Sequence, residues 1–92
     1  MKLAASYGLD RIAGQPVLLP QGSAIVDGGK IYALNETGAW IMEALRQETD
    51  EQTLLRRAAE HFLPQTQAER DTLNADVRAF CDTLREMRLL EE

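Results

Sequence analysis

Residues 34–41 read LNETGAWI, and the character of the chain changes within this stretch. Residues 1–34 hold five of the six glycines and two of the three prolines, whereas residues 36–92 hold one of each and most of the charge. Glycine and proline favour turns between short strands, and charged segments with regularly spaced apolar residues favour helices. The 92 residues therefore predict a single α+β domain in which a small antiparallel sheet precedes three helices.

Three short strands are predicted ahead of Asn35, separated by turns at glycine and proline. In the first strand Tyr7 and Leu9 share one face, and Ile12 lies on the other. The second strand ends at Pro20, because proline cannot donate to a sheet ladder. The predicted strands cover about residues 6–13, 17–20 and 30–34, with turns at 14–16 and 27–29, and residues 23–26 are a candidate fourth strand.

Three helices are predicted after the sheet, each opened by a polar cap. Asn35 caps the first helix, which runs to about residue 47. Thr49 with Gln52, and Thr66 with Glu69, form capping boxes that open the second and third helices, and the third ends at Met87 or Arg88. Each helix has one apolar face. These faces comprise Trp40, Ile41, Ala44 and Leu45; Leu54, Leu55, Ala58, Ala59 and Phe62; and Leu73, Val77, Phe80, Leu84 and Met87.

The net charge of −5 argues against binding to nucleic acids or anionic membranes, since both depend on a surplus of basic residues. The negative charge comes from the predicted helical part, residues 36–92, which contains seven arginines and thirteen acidic residues. No apolar run approaches the roughly 20 residues of a membrane span, and residues 1–9 lack the features of a signal peptide. A cytoplasmic location is therefore expected.

Cys81 and His61 are the only thiol and the only imidazole in the chain, so neither a disulfide within the chain nor a structural zinc site is predicted. Cys81 lies in the third helix beside its apolar face, which indicates a structural thiol. His61, near the end of the second helix, suits a capping or surface role. The carboxylates are scattered, and no phosphate-binding glycine motif is present. The sequence predicts neither an enzyme nor a cofactor.

The third strand carries a binding hypothesis. If it lies at the edge of the sheet, its free amides and carbonyls can accept an added peptide strand, with the third helix as one wall of the groove. Trp40, on the first helix, is predicted to be a core anchor rather than a ligand platform.

The order and spacing of several segments resemble the PqqD family over nearly the whole chain. Besides LNETGAWI, these segments are residues 12–20, the helix opening at 49–51, residues 76–80, and the leucines 84, 89 and 90. The family ends its third helix with glycine where this chain has Arg88. The resemblance implies a winged-helix-like recognition element that binds the leader segment of a ribosomally made precursor peptide. It also implies that the domain presents the peptide to a modifying enzyme, typically a radical enzyme that uses S-adenosylmethionine.

In this family the leader adds as a strand beside the third strand and packs on the third helix. The resemblance therefore implies a peptide-binding site on these two elements, with core packing as the alternative role for Leu34, Val77 and Leu84. The implied site residues are Lys30, Ile31, Tyr32, Ala33 and Leu34 on the strand, and Asp76, Val77, Phe80, Cys81 and Leu84 on the helix.

Two other classes of protein compete with this interpretation. A winged-helix DNA-binding regulator would need cationic residues on its recognition helix, and Arg56 with Arg57 is the only adjacent pair. A structural protein or homodimer would bury the apolar face of the third helix against a second copy.

Overall fold

The computed structural model describes residues 1–22 and 30–92 and confirms the α+β architecture, with three antiparallel strands followed by three helices. The candidate strand at 23–26 and the turn at 27–29 lie outside the described residues. Within them, no helix is both long and apolar enough to cross a membrane. The elements are β1 (Lys2–Leu3), β2 (Tyr7–Ile12), β3 (Gln15–Pro20), β4 (Tyr32–Ala33), α1 (Glu36–Ala44), α2 (Glu51–Phe62), α3 (Gln67–Glu86) and β5 (Leu90–Glu91).

The main sheet has the strand order β2-β3-β4, with both pairs antiparallel. Ala13 and Gly14 join β2 to β3 as a two-residue turn, and both have positive φ angles, of 52° and 82°. Primed turns of this kind match the twist of a hairpin. The turn thus precedes Gln15 rather than including residues 15 and 16, and Pro16 lies within β3, which ends at Pro20 as predicted.

Strand β4 is shorter than the predicted span of residues 30–34 and contains only Tyr32 and Ala33. The next residue, Leu34, still donates its N–H to the carbonyl of Pro16 at 2.9 Å. Pro16 has no N–H to return that bond. The ladder therefore ends where the donor on β3 is missing.

The predicted N-cap of the first helix is confirmed, because the Asn35 side chain accepts a hydrogen bond from the Gly38 N–H at 2.7 Å. Helix α1 ends at Ala44 rather than near residue 47. The carbonyl of the next residue, Leu45, accepts a hydrogen bond from the N–H of Leu3 on β1. Pairing with β1 thus stops the helix earlier than its apolar pattern suggests.

The predicted cap of the second helix is wrong by one residue. Asp50 is the N-cap of α2, and its carboxylate accepts from the Thr53 N–H at 2.7 Å. The backbone N–H of Thr49 instead donates to the Met1 carbonyl. Asp is a stronger N-cap residue than Thr, and the contact of Thr49 with Met1 is consistent with the same helix start.

The predicted cap of the third helix is confirmed, since Thr66 Oγ1 accepts from the Glu69 N–H at 3.1 Å. The Glu69 carboxylate reaches back to the Gln65 N–H, one residue before the cap. The helix ends at Glu86, one residue before Met87 and two before Arg88, the two predicted ends. Arg88 follows with a φ of 59°, and the N–H groups of Arg88 and Leu89 bond to the carbonyls of residues 85 and 84. These two bonds form a Schellman motif with arginine at the position that favours glycine.

A second sheet, which the sequence did not predict, joins the two ends of the described chain. Lys2 pairs with Glu91 and Leu3 with Leu90, in antiparallel register. Leu3 and Leu89 are both buried and extend the core beneath this sheet.

The core lies between the sheet and the three helices. Trp40, expected to anchor it, is only partly buried and stacks on His61, with ring centroids 5.4 Å apart. The next two residues, Ile41 and Met42, are completely buried. The fully buried side chains are Leu18, Ile41, Met42, Leu45, Leu54, Val77 and Cys81.

Candidate functional site

Among residues 1–22 and 30–92, strand β4 forms one edge of the main sheet, as the binding hypothesis requires. The N–H of Leu34 points towards β3, and the direction of N–H groups alternates along a strand, so the N–H of Ala33 points away from the sheet. Ala33 is exposed, and none of the described residues accepts a hydrogen bond from this N–H. The edge therefore presents an available donor to an incoming chain.

Strand β2, at the opposite edge, is largely closed by its own chain. The same alternation directs the N–H groups of Tyr7, Leu9 and Arg11 away from β3. The Arg11 N–H donates to the carboxylate of Asp10 at 2.7 Å, and the Tyr7 N–H donates to the carbonyl of Ala4. The sheet is therefore more open to strand addition at β4 than at β2.

An elongated groove runs along α3 from its first turn to Thr83, and we call it the α3 groove. Its wider part, about 600 Å³, lies between the turn joining α2 to α3 and the first half of α3. Its narrower part, about 320 Å³, lies between the start of α1 and the second half of α3. The two parts meet at Thr37 and Asp76. Asn35, which lines the narrower part, lies two residues after β4, so the groove begins beside the open edge.

Phe80 supports the narrow part of the groove, where α3 faces α1. Its ring is partly buried, packs against the core and also lines the groove. The close approach depends on Gly38, because a Cβ added there would lie 2.9 Å from the Phe80 ring and 3.2 Å from the capping oxygen of Asn35. The absence of a side chain at Gly38 thus allows the Phe80 ring to lie close to the start of α1.

The structure brings some of the implied site residues together at this groove and buries others. On the strand, Tyr32 and Leu34 pack against the core, whereas Lys30, Ile31 and Ala33 are exposed. On the helix, Asp76 is exposed in the groove and Phe80 lines it. The remaining three helix residues expose almost no surface and belong to the core: Val77, Cys81 and Leu84.

The chemistry of the groove is that of a binding surface. Its lining combines apolar side chains with threonine hydroxyls and two carboxylates. The thiol of Cys81 lies in the core, where burial raises its pKa and keeps it protonated. Among the described residues, no three His, Cys, Asp or Glu side chains are placed to hold a metal ion.

Several residues that line the groove were not predicted from the sequence. Leu73 and Thr83 could have been found from helical spacing, because they lie three or seven residues from Asp76 on the same face. Leu63 could not, since it lies at the C-cap of α2, outside the periodic pattern of the helix, where it has a φ of 52° and is 64% exposed. The missed lining residues include Thr37, Gly38, Leu63, Pro64, Leu73, Ala79 and Thr83.

A profile of the family described as "Coenzyme PQQ synthesis protein D (PqqD)" matches residues 17–90, which is most of the chain. The chain belongs to the PqqD family. No curated protein sequence matches it. Among solved structures, this PqqD-family chain is similar to one described as "TbiB1 in Complex with the TbiA(beta) Leader Peptide", with a TM-score of 0.67 and 22% identity. The match covers 99% of this chain and 95% of that chain, and at this identity it establishes the shared fold.

Proposed function

We propose that this protein is a peptide-recognition element of natural-product biosynthesis. It binds the leader segment of a ribosomally made precursor peptide and presents the peptide to a modifying enzyme, of the radical S-adenosylmethionine type. Membership of the PqqD family supports the peptide as ligand. The similar structure described with a bound leader peptide supports it further, because the whole fold is shared.

The observation that carries the proposal is the outward N–H of Ala33, which no described residue accepts, beside the α3 groove. A peptide strand added along β4 takes backbone hydrogen bonds from this edge, and its alternate side chains point into the groove. Exposed Ile31, before β4, and partly buried Phe80, on α3, offer apolar contacts. Backbone pairing supplies affinity and the groove supplies selectivity.

The test compares Ala33→Pro with Ala33→Val. Proline removes the outward N–H but no ladder bond to β3, so the fold should persist, since proline is tolerated on an edge strand. Valine changes the side chain and keeps the N–H. Peptides of 15 residues are selected from a random display library on the wild-type protein, and their affinities are measured by calorimetry. We expect proline to weaken binding at least about tenfold and valine to change it little.

Amide hydrogen exchange provides a direct second measurement. The Ala33 N–H should exchange rapidly in the free protein and become protected when a selected peptide is bound. Unchanged affinity in the proline variant, with an intact thermal melt and no protection at Ala33, would show that peptides do not add to β4.

A further inference from the structure

The α3 groove is acidic as well as apolar. Glu69 and Asp76 are its only charged lining residues, and no lysine or arginine lines either part within the described residues. The seven residues outside them, SAIVDGG at 23–29, contain no basic side chain that could neutralise the groove. A ligand seated there meets negative charge without a compensating base.

The two carboxylates differ in their availability. The Glu69 carboxylate already accepts a hydrogen bond from the Gln65 N–H at 2.6 Å, next to the N-cap of α3. Asp76 is exposed, and it has neither an ion pair nor a hydrogen-bond partner among residues 1–22 and 30–92. It also lies where the wide and narrow parts of the groove meet. Asp76 is therefore a carboxylate at the centre of the proposed binding site that no described residue neutralises.

The surroundings of Asp76 favour a strong interaction with a cation. Leu73 and Phe80 lie three residues before it and four after it on the same helix face, and both are partly buried. A peptide lying over these side chains excludes water from the carboxylate. An ion pair formed there is then screened less than one on the open surface.

We propose that Asp76 selects leader peptides that carry a lysine or arginine opposite it, between side chains that fill the apolar parts of the groove. This inference rests on the proposed function, and it defines the class of peptide that the site accepts. The basic residue is expected at one fixed position relative to the strand that pairs with β4, because pairing fixes the register.

The test selects 15-residue peptides from a random display library on three proteins: wild type, Asp76→Lys and Asp71→Lys. Asp71 is an exposed carboxylate on α3 outside the groove lining, so its variant makes the same change in net charge. We expect wild type and Asp71→Lys to enrich Lys or Arg at one aligned position. Asp76→Lys should enrich Asp or Glu at that position.

Charge exchange with single peptides makes the test quantitative. Replacing the selected base by glutamate should weaken binding to wild type about 3- to 30-fold, and pairing the glutamate peptide with Asp76→Lys should restore most of the loss. The wild-type affinity should also fall with added salt.

The outcomes separate this inference from the proposed function. Peptides that lose affinity in Ala33→Pro but show no fixed basic position would overturn the role of Asp76 and leave strand addition intact. The role of Asp76 would also be overturned if Asp71→Lys altered the selected charge as much as Asp76→Lys does, because the effect would then come from net charge. If no selected peptide is sensitive to Ala33→Pro, both proposals fail.

Discussion

Arg88 adopts a backbone conformation that suits glycine. With a φ of 59°, it follows the C-cap of α3, where its N–H and that of Leu89 close the Schellman motif. A side chain in the left-handed region crowds its own carbonyl oxygen. Arg88→Gly should therefore raise the free energy of unfolding by about 0.5–1 kcal/mol, after the entropy that glycine adds to the unfolded chain, and urea denaturation measures the gain.

Leu63 provides a matched comparison, because it ends α2 with a φ of 52°. Leu63→Gly should stabilise the fold for the same reason, but it also removes an apolar side chain from the α3 groove and should weaken peptide binding. Arg88→Gly should leave peptide affinity unchanged. A loss of stability in both variants would show that the two side chains make contacts that outweigh their backbone strain.

Single residues also show what the sequence can and cannot predict. Helical spacing correctly placed Ile41, Leu54 and Val77 in the core. It also put Trp40 there, although the indole stacks on His61 and leaves complete burial to Met42. The spacing of apolar residues defines the apolar face of a helix, whereas the angle at which helices pack decides which edge of that face is fully buried.

At the scale of elements, the caps determine where helices begin and how they respond to acid. The hydrogen bond from the Thr53 N–H lowers the pKa of Asp50 at the start of α2. A lowered pKa in the folded state contributes stability above the unfolded value of about 3.9, and this contribution is lost as the pH falls below it. Asp50→Asn keeps a capping oxygen that does not titrate. Thermal melts should be recorded from about pH 5 to about pH 2, a range that spans this pKa. The melting temperature should fall less on acidification in Asp50→Asn than in wild type.

An equal acid-induced loss of melting temperature in both proteins would show that other carboxylates determine the acid response.

Asn35 was predictable as a cap because no competing cap adjoins it, whereas Thr49 and Asp50 are neighbours in the sequence. Both residues can start α2, and the stronger capping preference of Asp and the contact of Thr49 with Met1 both favour Asp50. The two elements of the candidate site, β4 and α3, were named from the sequence and the family resemblance. The turn that carries Leu63 was not, because it lies outside any periodic pattern.

At the scale of the whole molecule, the pairing of β1 with β5 closes the domain beneath α3. Two-residue strands have no periodicity to read, so this sheet could not be predicted. Leu89 is 4% exposed, and its N–H also caps α3. Leu89→Ala should lower the free energy of unfolding by about 2–4 kcal/mol, measured by urea denaturation. The α3 groove does not include Leu89, so a folded variant should retain peptide affinity, and a loss below about 1 kcal/mol would show that the terminal sheet contributes little to stability.

The distribution of charge separates peptide binding from DNA binding. Arg56, half of the only adjacent basic pair, forms an ion pair with Glu60 at 3.3 Å, and the chain carries a net charge of −5. Random duplex DNA should therefore show no mobility shift at protein concentrations of the order of micromolar in physiological salt. A shift that weakens steeply with salt would favour the DNA-binding alternative.

The apolar face of α3 contributes Val77 and Leu84 to the chain's own core, which removes the main argument for a dimer through that face.

The unequal edges of the main sheet bear on polymerisation. A sheet that is open on both sides can add copies without limit and grow into a fibre. Here Asp10 and Ala4 accept from two of the three outward N–H groups of β2, which leaves the two-residue β4 as the more open edge of the described sheet. A peptide bound along β4 covers the edge to which a second copy would most readily add. Peptide binding and edge-to-edge association therefore compete for the same surface.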